Sequence, residues 1–239
     1  MPRALTIPQA LAGNSLDSRR FHHIFSRENE IYLLRRKVQP ARTEPCFALS
    51  MDICLFYFIN QGWQNRLFDF LMPLLSQESY FRLPLAILWI CLVVWGGRKE
   101  RVVALSVLVL LIFSDQLSTL LKFLFKRPRP CHTLPGVHLL LGCSRSYSFP
   151  SNHASNVFAV AAYLAYFYRW LLWPAIFVSL MVSLSRVYVG VHYPSDVAGG
   201  SILGLVCATL FVGLYKAICL TWDRGRPDRQ DEESHPDHA

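Results

Sequence analysis

The stretch VVALSVLVLLIFSDQLSTLLKF, residues 102–123, is apolar over most of its length and is about as long as a helix that crosses a bilayer. A surface helix of a soluble protein would instead alternate apolar and polar residues with a period of about 3.6. Similar apolar stretches, each bounded by charged or turn residues, occur at 80–97, 152–169, 171–190 and 197–220. The sequence therefore predicts an all-α integral membrane helical bundle.

A further apolar stretch at residues 51–75 is interrupted at Gln61-Gly62 and carries Asp52, Arg66 and Asp69. It either spans the membrane or places one half in the interface as an amphipathic helix. We therefore expect five or six transmembrane helices.

The composition agrees with a membrane protein. Hydrophobic residues make up 53% of the 239 residues and charged residues only 17%, against about 25% charged in soluble domains. The net charge of +8 does not indicate a nucleic-acid partner, because the basic residues flank apolar stretches and form no basic stripe. We expect a membrane domain at 48–221, a disordered basic tail at 1–47 and a polar tail at 222–239.

The positions of lysine and arginine predict the orientation. Basic residues prefer the cytoplasmic ends of helices, so RKER at 98–101, Arg169 and Lys216 are placed in the cytoplasm. The loop at 124–150 and the turn at 190–196 then face outwards. That loop breaks the rule, because it contains several basic residues: Lys126, Arg127, Arg129 and Arg145. Anion binding would explain them.

The seven cysteines show no metal-binding spacing, and we predict no metal and no other cofactor. Cys131 and Cys143 fall in the outward-facing loop, where a disulfide could persist.

Three separate segments place unusual residues on the predicted outer face: Lys122 with Arg129-Pro130, Pro150-Ser151-Asn152-His153, and Ser185-Arg186 with His192 and Asp196. An unpaired charge at membrane depth costs at least about 2.5–3.5 kcal/mol, which an anion shared by the three cations would offset. Phosphate suits them, since arginine can bond it through two N–H groups. Ser151 and Asn152 would begin a helix, whose free N–H groups favour an anion.

The two histidines predict complementary roles. Asp196 lies four residues after His192 and could fix the ring tautomer so that the other nitrogen attacks. His153 could protonate the leaving oxygen and later activate water. Phosphoryl transfer depends mainly on positioning and charge neutralisation, so cations and N–H groups can act without a metal.

These motifs resemble the three-part signature of the type 2 phosphatidate phosphatase superfamily over roughly residues 50–220. The resemblance implies that His192 is the phosphohistidine nucleophile, Asp196 its orienting partner and His153 the general acid. The phosphoryl-binding residues that it implies are Lys122, Arg129, Ser151, Asn152 (through its backbone N–H) and Arg186. Asn152 departs from the common pattern, in which glycine occupies this position.

Within that superfamily the chain is most similar to bacterial enzymes that act on undecaprenyl diphosphate, lipid A or glycerophospholipid phosphates. The resemblance implies a lipid phosphate substrate and a bacterial inner-membrane enzyme whose site faces the periplasm. Two alternatives remain: a lipid phosphotransferase that uses the same site, and a non-catalytic lipid-binding membrane protein. A soluble haloperoxidase is disfavoured, because it has no use for lipid-length helices.

Other residues carry secondary predictions. Lys126 and Arg127 are candidates for binding the rest of an anionic head group. Asp115, inside an apolar helix, is interpreted as a buried partner for a neighbouring polar group. The small residues Gly200, Gly204 and Ala208 recur at four-residue spacing and predict close helix packing.

Overall fold

The computed structural model describes residues 50–224. The predicted tail at 1–47 lies outside that range, as does the predicted tail at 222–239 except for residues 222–224, which continue the last helix. Over this range the chain is helical and contains no strand, which confirms the predicted all-α class. The helices are α1 (Met51–Asn60), α2 (Arg66–Ser76), α3 (Ser79–Trp95), α4 (Arg98–Phe125), α5 (Pro130–Thr133), α6 (Asn152–Phe167), α7 (Leu172–Tyr188) and α8 (Pro194–Arg224), with a 3₁₀ turn at Arg169–Leu171 before α7.

The predicted interruption at Gln61-Gly62 is confirmed. Helix α1 ends at Asn60, and α2 begins after Asn65, whose side chain accepts a hydrogen bond from the N–H of Phe68 at 2.9 Å. Such a side-chain cap satisfies one of the N–H groups that a helix start leaves unpaired. Helices α2 and α3 then meet at a bend of 48°.

All five predicted apolar stretches form helices. By length and apolarity alone, three segments within the described residues could cross a membrane, Arg98–Thr133, Arg169–Tyr188 and Pro194–Leu220, and the bent pair α2–α3 could form a fourth. Helix α6 has only 16 residues. The predicted total of five or six transmembrane helices stays a prediction.

The outer surface of the bundle is apolar. Helix α3 buries none of its residues, and Leu83, Leu85 and Trp95 are each at least 60% exposed. Contiguous apolar surface of this kind on a soluble monomer would be unusual, whereas it suits contact with lipid chains.

Helix α6 occupies the centre of the bundle and contacts α4, α7 and α8. Its closest neighbour is α8, because Gly200 and Gly204 present no side chain there. A Cβ atom added at Gly200 would lie 2.4 Å from the carbonyl oxygen of Ser151, and one at Gly204 would lie 2.2 Å from that of Ser155. Ala208 is also buried. The predicted close packing of these small residues is therefore confirmed.

The loop between α4 and α6 is closed by a disulfide between Cys131 and Cys143, whose Cα atoms lie 6.3 Å apart. The bridge links the segment that follows Arg129 to the segment that precedes Ser146. It therefore brings together the two flanking segments, which carry the basic residues Arg129 and Arg145.

Candidate active site

The three predicted segments meet at one end of the bundle. Lys122 lies in the last turn of α4, Ser151 precedes α6, and the turn with His192 leads into α8. Hydrogen bonds join the segments directly. The N–H of Ser151 donates to the carbonyl of Asp196 at 3.0 Å, and Nη1 of Arg129 lies 3.1 Å from Nε2 of His192.

His192 and Asp196 are both buried. Nδ1 of His192 lies 3.5 Å from Oδ2 of Asp196, a contact that is slightly longer than a hydrogen bond. The same carboxylate oxygen accepts hydrogen bonds from the N–H of Tyr193 at 2.8 Å and from the hydroxyl of Ser148. Because Asp196 lies in the first turn of α8, the turn at 190–193 and the helix start together fix the ring and the carboxylate.

The pKa of His192 is lowered to about 3, mainly by burial and also by the charges of Arg129 and Arg186, while Asp196 acts in the opposite direction. The structure therefore favours the neutral imidazole. An arginine can only donate, so the contact with Arg129 makes Nε2 the acceptor. The ring proton then lies on Nδ1, towards Asp196.

Two phosphate-binding candidates, Lys122 and Arg129, are buried and held by the loop before α6. Lys122 donates to the carbonyl of Tyr147 at 3.0 Å. Arg129 donates to the carbonyl and hydroxyl of Ser146, both at 2.9 Å, and to the carbonyl of Val191 at 3.0 Å. Both side chains are therefore anchored mainly by neutral oxygens, and no carboxylate among the described residues forms an ion pair with either of them.

Arg186 is held differently, by the end of α2. Its Nη1 donates to the carbonyl of Ser76 at 2.9 Å and contacts the hydroxyl of the same residue. Its Nε is buried and has no hydrogen-bond partner among the described residues. Sequence analysis did not identify Ser76, because the two residues are 110 positions apart and no local pattern connects them.

The start of α6 forms the third part of the site. The hydroxyl of Ser151 and Oδ1 of Asn152 are buried without a hydrogen-bond partner in the described part of the chain. Nδ2 of Asn152 donates to Asp115 at 2.8 Å. Asp115 is thus a partner for a polar neighbour, as interpreted, but it is only partly buried.

His153 follows in the first turn of α6 and is partly buried. The positive charges of Arg186, Lys122 and Arg129 interact electrostatically with the His153 ring, and those of Arg129 and Arg186 also interact with the His192 ring. The two histidines therefore share the same cationic surroundings at one end of the bundle.

Arg127 does not reach outwards as the head-group hypothesis expected. Nη1 lies 2.8 Å from Oδ1 of Asp196 and 2.6 Å from the hydroxyl of Ser195, and Nη2 lies 2.6 Å from Oδ2 of Asp52. The guanidinium also stacks on the ring of Tyr193, 4.0 Å from its centre. Two carboxylates thus draw the side chain inwards.

A cavity of about 310 Å³ opens beside Lys122. Arg145, one of the residues that line it, makes no hydrogen bond or ion pair within the described residues. The cavity is lined by Thr119, Lys122, Phe123, Arg145, Ser146, Tyr147 and Asn152. It therefore offers a positively charged recess next to the phosphate-binding candidates.

The chain is similar to known proteins in both sequence and fold. Residues 103–219 match the PAP2 superfamily. Phosphatidylglycerophosphatase B of Bacillus subtilis is 32% identical over 173 residues, which cover 67% of this chain and 79% of the relative. Undecaprenyl-diphosphatase BcrC of the same organism is 28% identical, with 62% and 75% covered. The crystal structure of Aquifex aeolicus LpxE is similar with a TM-score of 0.59 and 26% identity, covering 69% of this chain and 96% of that one.

Proposed function

The chain belongs to the PAP2 superfamily and is a membrane lipid phosphatase, and we propose that it hydrolyses a lipid phosphate or diphosphate through a phosphohistidine intermediate without a metal. The state and position of the His192 ring support this proposal. The neutral His192 directs Nε2 towards Arg129, while Asp196 lies behind Nδ1. Such a ring is prepared to attack phosphorus and to accept the positive charge that then develops.

In the first step, Nε2 of His192 attacks the phosphorus atom and the bond to the lipid oxygen breaks. His153 gives its proton to that oxygen, so the lipid leaves as an alcohol or a phosphate monoester. Arg129 moves its hydrogen bond from Nε2 to a phosphoryl oxygen, which frees the lone pair for attack. Asp196 stabilises the imidazolium through its contact with Nδ1.

The negative charge on the phosphoryl oxygens is neutralised by the cations and donors of the site: Lys122, Arg129, Arg186, the Ser151 hydroxyl and the Asn152 N–H. Buried donors of this kind are effective, because they need little reorganisation when charge develops. In the second step His153 takes a proton from water, the hydroxide attacks phosphorus, and phosphate leaves from Nε2. His192 returns to its neutral form.

The substrate is proposed to be undecaprenyl diphosphate, lipid A or a glycerophospholipid phosphate. The recess beside Lys122 supports an anionic head group, since Arg145 adds a cation to its lining. The apolar surface around it, with Phe123 63% exposed, suits the lipid chain. Location in a bacterial inner membrane with the site facing the periplasm is supported by the disulfide, which persists in oxidising compartments.

The test is a panel of lipid phosphates assayed side by side with the detergent-solubilised full chain. Undecaprenyl diphosphate, phosphatidylglycerophosphate, phosphatidate and lipid A cover the proposed classes, and released inorganic phosphate is measured. At least one should be hydrolysed, with activity retained after a chelator is added. No release from any member would overturn the proposal, and predominant transfer of phosphate to an added alcohol would favour the phosphotransferase alternative.

A further inference from the structure

Helix α1 lies outside the part of the chain that matches the PAP2 superfamily, residues 103–219, yet one of its side chains is linked to the carboxylate of Asp196 through Arg127. Asp52, in the first turn of α1, binds Arg127, and Arg127 binds Asp196. Asp52 also accepts a hydrogen bond from the N–H of Ser195 at 2.9 Å. The chain of contacts therefore runs from α1 to the residue behind His192.

We propose that Asp52 and Arg127 are positioning residues that fix the carboxylate of Asp196 behind His192, which makes α1 part of the catalytic apparatus. This inference rests on the proposed function, because it assumes that His192 attacks phosphorus. Neither residue is proposed to touch the substrate.

The geometry holds both oxygens of Asp196. Oδ2 faces His192, Tyr193 and Ser148, whereas Oδ1 accepts from Arg127. A carboxylate bound on only one side could rotate about its Cβ–Cγ bond, and the oxygen that faces Nδ1 would then move away. Arg127 prevents that rotation from the side opposite to His192.

Arg127 is itself held in one plane. Its two terminal nitrogens bind different carboxylates, and the ring of Tyr193 supports its face at 4.0 Å. A guanidinium suits this position because its planar fork presents donors in fixed directions. Asp52 accepts a hydrogen bond from Nη2 of Arg127. It also accepts one from the N–H of Ser195, which the start of α8 would otherwise leave unpaired.

The charges support the same role. Asp196 is fully buried, and a buried carboxylate without a compensating charge is costly. Arg127 compensates it from the far side, while Asp52 balances Arg127. The group of three keeps one net negative charge, which remains available to stabilise a protonated His192.

Helix α1 does not depend on Asp52 for its own placement. At its other end Asn60 donates to the carbonyls of Tyr188 at 2.7 Å and His138 at 2.9 Å, and it accepts from the N–H of His138. Loss of the Asp52 carboxylate should therefore leave the helix in place and change mainly the orientation of the Arg127 and Asp196 side chains.

The test uses the full chain with a lipid phosphate that the wild type hydrolyses. In D52N and R127Q we expect kcat to fall about 30-fold, a typical loss for a residue that orients a reacting group, with KM within about twofold of wild type. R127K should recover only part of kcat, because an ammonium cannot bind both carboxylates in the same geometry. The D52N/R127Q double variant should be no slower than R127Q, since the two residues act as one unit.

Asp69 provides the matched control. It also lies outside the superfamily match and ties its helix, α2, to the rest of the chain through Tyr188 at 2.7 Å and His138 at 2.9 Å. D69N should keep kcat within about threefold of wild type. An unchanged kcat in D52N, or an equal loss in D69N, would overturn the inference while leaving the proposed function intact. A wild type that releases no phosphate from any lipid would instead refute the proposed function.

Discussion

The two sides of the candidate site differ in how far the protein satisfies its own polar atoms. On the orienting side, which consists of His192, Asp196, Arg127 and Asp52, both oxygens of Asp196 accept hydrogen bonds. One buried atom of this side, Nδ1 of His192 at 3.5 Å from Asp196, lacks a hydrogen-bond partner among the described residues. On the anion side, which consists of Ser151, Asn152, His153 and Arg186, three buried atoms lack a partner among the described residues: Ser151 Oγ, Asn152 Oδ1 and Arg186 Nε. Buried polar groups are normally paired.

The difference separates two tasks. The orienting side is arranged by the fold alone, so its geometry should not depend on substrate. Two of the unpaired atoms on the anion side, the Ser151 hydroxyl and Nε of Arg186, are donors, whereas Oδ1 of Asn152 only accepts. With the helix start beside them, these buried donors would bind a phosphoryl group strongly. Changes on the orienting side should therefore affect mainly kcat, and changes on the anion side should affect both kcat and KM.

The strongest test of the orienting side removes the nucleophile. His192→Ala should lower inorganic phosphate release from the purified chain by about 10⁴-fold or more, because no phosphohistidine can form. The variant should still bind the lipid phosphate, which equilibrium binding to detergent micelles can measure. A rate equal to wild type would contradict catalysis by this residue and favour the non-catalytic alternative.

The anion side is tested by Arg186→Gln, which keeps the side chain polar but removes its charge. We expect kcat/KM to fall about 10²- to 10³-fold, as for the loss of one preorganised donor to a developing anion. Unlike the variants of the orienting side, this one should also raise KM. Steady-state rates over a range of lipid phosphate concentrations separate an effect on kcat from an effect on KM. A change in kcat alone would contradict the proposed difference between the anion side and the orienting side.

The pH dependence tests the state of His192. With a pKa of about 3 in the folded chain, the imidazole stays neutral between pH 7 and pH 5, so its titration should not reduce kcat/KM over that range. An unshifted pKa of 6.5 would lower kcat/KM about 30-fold at pH 5. If kcat/KM falls by that amount at pH 5 while the protein remains folded under the same conditions, the buried neutral ring is contradicted.

The same low pKa has a consequence for stability. The unfolded chain binds a proton at His192 below about pH 6.5, whereas the folded chain does not until about pH 3. Protonation therefore favours unfolding, and stability should decrease as the pH falls through this window.

The smallest expected effect concerns the contact between α6 and α8 that supports both sides. Gly204→Ala places a methyl group 2.2 Å from the carbonyl oxygen of Ser155, which forces the backbones apart. We expect a loss of about 1–3 kcal/mol in the free energy of unfolding, seen as a lower Tm in detergent. Gly213→Ala is the control, because no atom lies within 4 Å of the added carbon, and its Tm should not decrease.

Much of the fold could be predicted from the sequence, because apolar length and bounding charges are local properties. All five predicted stretches are helical, and the break at Gln61-Gly62 is where α1 ends. The predicted ends of the helices agree less closely with the structure. Helix α6 ends at Phe167, before the predicted boundary at 169, because the chain changes to a 3₁₀ turn at Arg169.

The candidate site was only partly visible in the sequence. The three motifs predicted residues that the fold does bring together, although the catalytic roles of His153 and His192 stay predictions. Ser76, Asp52 and the inward direction of Arg127 were missed, because they depend on contacts between residues 69 to 110 positions apart. In sequence, Asp52 is an ordinary polar residue at the edge of an apolar stretch.

The contact between α6 and α8 has a consequence for the evolution of substrate range. Gly200 and Gly204 let the two backbones touch, so the first turns of these helices form one rigid unit that carries His153 at one start and Asp196 at the other. Lipids of different bulk must then be accommodated by elements outside this unit. The bend between α2 and α3, which lies beside Arg186 through Ser76, is suited to that purpose. We expect differences in lipid selectivity to arise at this bend, and not at the contact between α6 and α8.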